Sequence, residues 1–431
     1  MDATAGDAQA PWLGRIVQVR RAEVAALVWS FAYFFCLLAA YYVIRPVRDE
    51  MAVQFGAERL QWLFTAVFAT MVALIPLFGW LAARLPVKRL LPVVYGFFAL
   101  NLVAFHLALD AGMALRTLAP VFFVWVSVFN LFVVSVFWSF MADLYATDAA
   151  RRLFGFISAG GSLGAIAGPG LTAWLAPAVG ISNLLLVSAL LLAASVGCIV
   201  ALLRLAPGGG ERFLRTAAEA GGRTPRLWEG VLRIARSPYL IAICVYLVCY
   251  TLLGTMLYFA QTRLVPEAIP TPERRTQLFA SVDLAVNALT LALQFFVTGR
   301  LLSRLGATVM LAALPVVSIA GFVALGAATT LPVLVVFGVL RRAGEFAISK
   351  PTRETLFTVV PQEEKYQAKN VIDTVVHRGG DAASGWFTAW LQALGLSLSA
   401  VAFAGVPIAC AWLATALFLG RRHEALRSAQ R

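Results

Sequence analysis

The chain has 431 residues, 61% of them hydrophobic and 13% charged, with a mean hydropathy of +0.82. Soluble globular domains hold about 45–50% apolar and about 25% charged residues, so the soluble enzyme classes are excluded and an integral membrane protein is expected. The net charge of +13 calls for no nucleic acid polymer as a partner, because basic loops are how membrane proteins set their orientation.

The first 22 residues are polar and show neither a short apolar core nor a cleavage site, so the first apolar run is expected to be retained. A membrane helix needs about 20 residues to cross the hydrocarbon core. Twelve such spans are read, at 24–44, 61–83, 90–109, 118–141, 153–175, 181–203, 239–262, 277–298, 307–327, 331–349, 370–393 and 398–420. They are too long and too continuously apolar for barrel strands.

The first span ends in "YYVIRPVRDEMAV", which places Arg45, Arg48, Asp49 and Glu50 around Pro46. Arg45 and Asp49 are four apart, one above the other on a helix. The fourth span ends with Asp143, followed by Asp148, Arg151 and Arg152, and a latch between Asp143 and the two arginines is expected there. After the sixth span, "LAPGGGERFLRTAAEAGGRTPRLW" reads as a flexible glycine-rich linker. It divides the chain into an N-terminal six-helix bundle (1–204), a cytoplasmic linker (205–236) and a C-terminal six-helix bundle (237–431). The following "RLWEGVLRIARS" reads either as an amphipathic surface helix or as ordinary linker.

In the second half, Asp283 and Asn287 sit one turn apart in the eighth span. Arg341, Arg342 and Glu345 interrupt the tenth, with Arg341 and Glu345 spaced as an i,i+4 pair. Asp373, His377, Arg378 and Asp381 recur along the eleventh. Charge inside a membrane costs at least about 2.5–3.5 kcal/mol per residue, so such residues usually line a cavity or pair with one another. The cysteines (Cys36, Cys198, Cys244, Cys249 and Cys410) lie in apolar segments without metal-ligand spacing and read as small apolar fillers. No catalytic triad, P-loop or zinc spacing is present, so neither an enzyme, a cofactor nor a metal is expected.

The basic residues sort unevenly. The N-terminus, even-numbered loops and C-terminus carry 25, the opposite loops carry seven, and three fall inside spans. Both termini are therefore expected in the cytoplasm. Thirty-one of the 35 basic residues are arginine, the usage of a GC-rich bacterial genome. The expected location is a bacterial inner (cytoplasmic) membrane.

The halves also repeat. "GWLAARLPVKR" and "GRLLSRLGATV" share G-x-L-x-x-R at an offset of 220 residues, and Gly160–Gly161 answers to Gly379–Gly380. Two six-helix halves with this short loop motif resemble the major facilitator superfamily, which implies an all-α membrane fold of two pseudo-symmetric bundles and transport by alternating access.

A narrower resemblance follows from three segments. "YYVIRPVRDEMAV", "FWSFMADLYATDAARRLFGFISAGGSLGAIAG" and "ISKPTRETLFTVVPQEEKYQAKNVID" together resemble the ATP/ADP translocase family of plastids and intracellular bacteria. In that likeness Arg48 stands at a lysine of the first helix, Asp143 at a glutamate of the fourth and Lys369 in a lysine-rich turn before the eleventh. The resemblance implies nucleotide exchange, an ATP/ADP-like antiport, with ATP as cargo.

The expected partners are thus the lipid bilayer and a small-molecule anion, nucleotides among the candidates. Arg45, Arg48, Asp143, Arg341, Arg342, Lys369 and Arg378 are the expected substrate contacts, since an anion needs basic groups facing it. Asp283, Asp373, His377 and Asp381 are the candidates for proton coupling, and they support the rival reading of a proton-coupled exporter of an amphipathic compound. A third reading is a membrane scaffold or sensor that transports nothing.

Overall fold

The computed structural model describes residues 19–20, 23–84, 87–205, 227–361, 368–369 and 371–429. The expected polar N-terminus and residues 206–226 of the expected linker lie outside them. Long helices account for almost everything described, as a bilayer demands, because only a helix or a closed barrel satisfies its own backbone in hydrocarbon.

In chain order they are α1 (Val24–Phe55), α2 (Leu60–Arg84), α3 (Val87–Asp110) and α4 (Leu115–Leu144). The helical run Thr147–Leu205 is interrupted at Gly180, whose φ of 78° and ψ of 167° leave the helical region, giving α5 (147–179) and α6 (181–205). Only glycine adopts that φ without strain. A short helix, Leu227–Arg236, precedes α7 (Pro238–Ala268), which Ser237 caps by accepting from the Leu240 N–H at 3.4 Å. Then come α8 (Pro272–Leu293), continued by a π-helical turn Gln294–Thr298, and α9 (307–327), which a break at Gly306 separates from that turn. The tenth helix, α10 (Leu331–Gly344), passes through a second π-turn, Glu345–Ser349, into Lys350–Leu356. A third π-turn, Ile372–Val376, opens α11 (His377–Ala393), and α12 (Leu398–Ala429) closes the chain. The twelve expected spans are all present as helices.

The end of the first span differs most. The first span was expected to end at residue 44, yet α1 runs through Pro46 to Phe55, carrying Arg45, Arg48, Asp49 and Glu50 inside a helix. A proline removes one N–H and crowds the carbonyl four residues back. Neighbouring helices bond to carbonyls on either side of the one that Pro46 frees, at Tyr42: Thr172 of α5 donates to the Val43 carbonyl at 3.3 Å and Ser188 of α6 to the Ala40 carbonyl at 2.9 Å.

The chain forms two compact units. Unit 1 comprises Met1–Met51, Ala73–Thr224 and Pro272–Leu284; unit 2 comprises Ala52–Val72, Pro225–Thr271 and Ala285–Arg431. The first half of α2 therefore belongs with the later helices, and the first half of α8 with the earlier ones. The two transferred segments begin at Ala52 and Pro272, again 220 residues apart.

Inside unit 1, Tyr33, Tyr95, Phe122, Phe129, Phe137 and Phe140 are fully buried. The Tyr33 and Tyr95 hydroxyls bond to each other, and Tyr95 donates to the Val133 carbonyl at 3.1 Å. Helices α1 and α5 touch backbone to backbone. A Cβ at Gly160, Gly164 or Gly168 would stand 2.5, 2.3 or 2.6 Å from the carbonyl oxygens of Phe31, Phe35 and Ala39. Small residues every four positions permit this approach in a solvent that offers no hydrophobic drive.

Unit 2 has its own core around Trp412, Tyr246, Phe259, Phe322 and Phe357. The first half of α2 lies on α11 there: Trp62 meets Trp386 edge-on at 4.9 Å, and the Trp386 indole N–H donates to the Thr65 hydroxyl at 3.0 Å. A Cβ at Gly380 would lie 2.8 Å from Thr251 Oγ1. Gly380 and Thr251 are each 220 residues beyond Gly160 and Phe31, so the same pair of positions is the close contact in both units.

Candidate functional site

The charges that interrupt apolar helices fall in both units. In unit 1 they come from α1 and the transferred start of α8. Glu50 has no exposed surface, and Arg275 grips it with two bonds, Nε to one carboxylate oxygen at 2.8 Å and Nη2 to the other at 2.7 Å. Two parallel charge-assisted bonds are the strongest form an arginine–carboxylate pair takes. Further along, Arg45 Nε stands 3.7 Å from an Asp283 oxygen, with Asp283 buried and the guanidinium 5.6 Å from the Tyr42 ring. Between them Arg48 donates to Asp49 Oδ1 from Nε at 3.2 Å and Nη2 at 2.9 Å, its guanidinium 4.9 Å above the Phe123 ring.

At the opposite end of α4, where the latch was expected, Glu23 joins the charges. Arg152 pairs with Glu23, at the start of α1, at 3.0 Å; Arg151 is exposed and Asp143 half-buried. Glu23 reaches Arg152 because α5 packs on α1 through its glycines, a proximity that counting along α4 and α5 alone does not reveal.

In unit 2, Arg341 is 4% exposed. Its Nη2 donates to the Tyr250 carbonyl on α7 at 2.7 Å, and the guanidinium lies 4.8 Å above the Tyr250 ring. Gly254, one turn on from Tyr250, leaves the room: a Cβ there would be 3.0 Å from Nη2 and 3.1 Å from Nη1. Among the described residues no carboxylate stands within ion-pair distance of Arg341, and its Nε has no hydrogen-bond partner.

The i,i+4 pair expected between Arg341 and Glu345 does not form. Glu345 instead meets Arg353 at 3.3 Å, both almost fully buried. The cause is the π-turn Glu345–Ser349. Eight residues overshoot two α-helical turns by roughly 80°, but the one extra residue that a π-turn contains returns position 353 to the face of 345. Arg341, released from Glu345, lies on the α7 backbone.

Of the remaining expected residues, Arg342 is half-buried on α10 and Asp373 is exposed. Lys369 bonds to Glu354 and lies 5.8 Å from the Phe357 ring. On α11, Asp381 faces His377 Nδ1 at 3.5 Å and Arg378 at 3.7 Å, and the His377 ring is 6.3 Å from that of Tyr250. Tyr250 thus stands between Arg341 and His377. Arg45, Arg48, Asp143 and Asp283 belong to unit 1, and Arg341, Arg342, Lys369, Asp373, His377, Arg378 and Asp381 to unit 2.

Sequence reasoning passed over Tyr250 and Gly254, which carry no charge and left no signal. It also passed over Arg275, counted as a loop arginine; a carboxylate at the end of one apolar run and an arginine at the start of another were the only hint.

The model of the Major Facilitator Superfamily matches residues 29–380. No curated protein matches the chain. Among solved structures, the chain is similar to a bacterial homolog of the human lysosomal transporter Spinster in an inward-facing, unoccupied conformation, at 14% identity and a TM-score of 0.57, over 94% of this chain and 97% of that one. It is similar to a POT family transporter in complex with a thioalcohol-conjugated peptide, at 11% identity and a TM-score of 0.63, over 93% and 96%. It is similar also to the xylose transporter of E. coli in an inward open conformation, at 14% identity and a TM-score of 0.59, over 92% and 95%. At such identities the likeness is one of fold.

Proposed function

The chain belongs to the Major Facilitator Superfamily, and on that premise we propose that its cargo is a small anion, with nucleotides the first candidates. It is a multi-pass membrane protein and a secondary transporter that works by alternating access, not an enzyme. The observation that supports an anionic cargo is Arg341. Arg45, Arg48, Arg275, Arg353, Lys369 and Arg378 each have a carboxylate within ion-pair distance. Arg341 is buried on a neutral carbonyl and an aromatic face, which stabilise a cation without cancelling its charge. A buried charge left over in this way is costly, and an anionic ligand offsets it.

Nucleotide exchange rests on the three motif segments and on Arg48, Asp143 and Lys369 within them. The 25-to-7 division of basic residues supports cytoplasmic termini in a bacterial inner membrane. The test is exchange of radiolabelled ATP into proteoliposomes preloaded with ADP, alongside a panel of phosphorylated and carboxylate anions, for the wild type and Arg341→Gln. Anion uptake that Arg341→Gln abolishes supports the reading; uptake of neutral or cationic solutes alone, indifferent to Arg341, refutes it.

The second reading, proton-coupled export, is favoured by one contact. Asp381, His377 and Arg378 form a half-buried titratable group on α11. Transport driven by a pH gradient and lost in Asp381→Asn would establish it.

A further inference from the structure

We propose that the short helix Leu227–Arg236 lies in the membrane interface and, with Arg421 and Arg422 of α12, forms a binding surface for anionic phospholipid. All of these residues belong to unit 2, and the surface does not depend on the nature of the cargo.

The sequence of the helix, LWEGVLRIAR, has two sides. At about 3.6 residues per turn, Leu227, Trp228, Val231, Leu232, Ile234 and Ala235 share one side, and Glu229, Arg233 and Arg236 the other. The protein covers only part of the apolar side. Ile234 packs on the core of unit 2, whereas Val231 and Leu232 are 41% and 43% exposed. An apolar strip backed by arginines holds a helix flat in the headgroup layer, its apolar side about 5–10 Å deep. Ser237 permits that course. Its φ of −112° and ψ of 109° are extended, so Leu227–Arg236 does not simply continue the axis of α7.

The level of this helix in the bilayer is fixed independently, by α12. The exposed side chains of α12 are apolar from Phe403 to Phe418 and charged from Arg421 onward. That change marks where hydrocarbon gives way to water, because charge inside the hydrocarbon is costly. Tyr239, in the first turn of α7, stands at the same level. Its hydroxyl is 3.4 Å from His423 Nδ1 and donates to the Leu356 carbonyl at 3.0 Å. Arg236 lies three residues before Tyr239, so the short helix leaves α7 beside Arg421 and Arg422, at the depth of the headgroups.

The cations there are uncompensated. Arg236, Arg421 and Arg422 are exposed, and among the described residues none has a carboxylate within ion-pair distance. Glu424, their neighbour on α12, is engaged by α9, where it accepts from the Thr308 hydroxyl at 2.8 Å. Each arginine close to an anionic membrane surface favours it by about fivefold. A free phosphate would meet the same arginines but gain nothing from Val231 and Leu232, whereas a phospholipid satisfies both. In the proposed orientation the lipid comes from the cytoplasmic leaflet.

The test uses the full chain in nanodiscs of phosphatidylcholine with about one quarter phosphatidylglycerol. In a chain whose five cysteines are replaced by alanine, bimane on Leu232→Cys should be quenched by lipids with a nitroxide high on the acyl chain. The quenching should be at least about threefold stronger than for bimane on Glu229→Cys, on the opposite side. Lipid retention is read by native mass spectrometry in the chain with its native cysteines. Arg236→Gln, Arg421→Gln and Arg422→Gln together should lower the affinity for phosphatidylglycerol at least about tenfold and leave that for phosphatidylcholine unchanged. Lysine at the same three positions should keep most of it, since the demand is for charge. Equal quenching at Leu232 and Glu229, or phosphatidylglycerol retained by the glutamine variant as by the wild type, overturns the proposal. Displacement of phosphatidylglycerol by inorganic phosphate alone overturns it too, because the surface would then hold a free anion and not a lipid.

Discussion

The pair Glu345–Arg353 offers a measurement of the π-turn argument in energetic form. Their side chains are 4% and 7% exposed and meet at 3.3 Å. At an effective dielectric of about 20, opposite charges at that distance attract by about 5 kcal/mol, and removing one partner from a buried pair typically costs about 3–5 kcal/mol, because the other charge stays buried. Glu345→Ala should therefore destabilise the protein by about 4 kcal/mol, which for a unit of this size lowers the unfolding temperature by about 8–16 °C. Replacing both, Glu345→Leu with Arg353→Met, removes the stranded charge, so most of the loss should be recovered. Arg341→Ala with Glu345→Ala should show no comparable recovery, since those two side chains are not partners. The assay is thermal unfolding of purified protein in detergent, followed by intrinsic fluorescence, for the full double-mutant cycles. If Glu345 couples to Arg341 and not to Arg353, the register assigned to α10 is wrong, and with it the reason for calling Arg341 the unneutralised cation.

Three further outcomes are expected. Alkaline phosphatase fused after Arg431 should be inactive in a bacterial host, as the 25-to-7 bias requires; an active fusion reverses the topology. Gly164→Leu should abolish accumulation of folded protein, since even a Cβ there would stand 2.3 Å from the Phe35 carbonyl, whereas Gly197→Leu, with nothing within 4 Å of its Cβ, should be tolerated; immunoblotting of membranes distinguishes them. Arg48→Ala should cut anion exchange about 30-fold or more at matched membrane abundance, with Arg48→Lys milder because the charge remains; transport by Arg48→Ala at the wild-type rate would remove Arg48 from the site.

What the sequence made legible was periodic and compositional. Twelve apolar runs became twelve helices because a bilayer leaves no alternative to internal hydrogen bonding. The 220-residue repeat reappears in the paired contacts Gly160–Phe31 and Gly380–Thr251. What it hid was register and partnership. Reading Arg341 against Glu345 took the nearest charge on the same face, whereas the π-turn that follows brings Arg353 round to Glu345. The pairing of Arg152 with Glu23 was not legible, because Glu23 is brought in by a glycine-lined contact between α1 and α5. The grip of Arg275 on Glu50 joins residues 225 apart and depends on a helix shared between two units. No local pattern encodes that.

Arg275 and Arg341 show why a buried arginine means little until its counter-charge is found. Both are almost without exposure, both sit in helices of an apolar chain, and by composition they are equivalent. Arg275 is neutralised by two bonds to Glu50, so its charge is already used and a substrate anion would have to compete with a carboxylate for it. Arg341 is held by a peptide carbonyl and a ring. These position the guanidinium and lower the cost of burying it, yet the positive charge persists. An anion arriving at Arg341 displaces at most a neutral acceptor, and it brings the site to neutrality. The first arginine is therefore satisfied within the fold, and the second is the one on which the proposed anion site rests. The difference between them is one carboxylate.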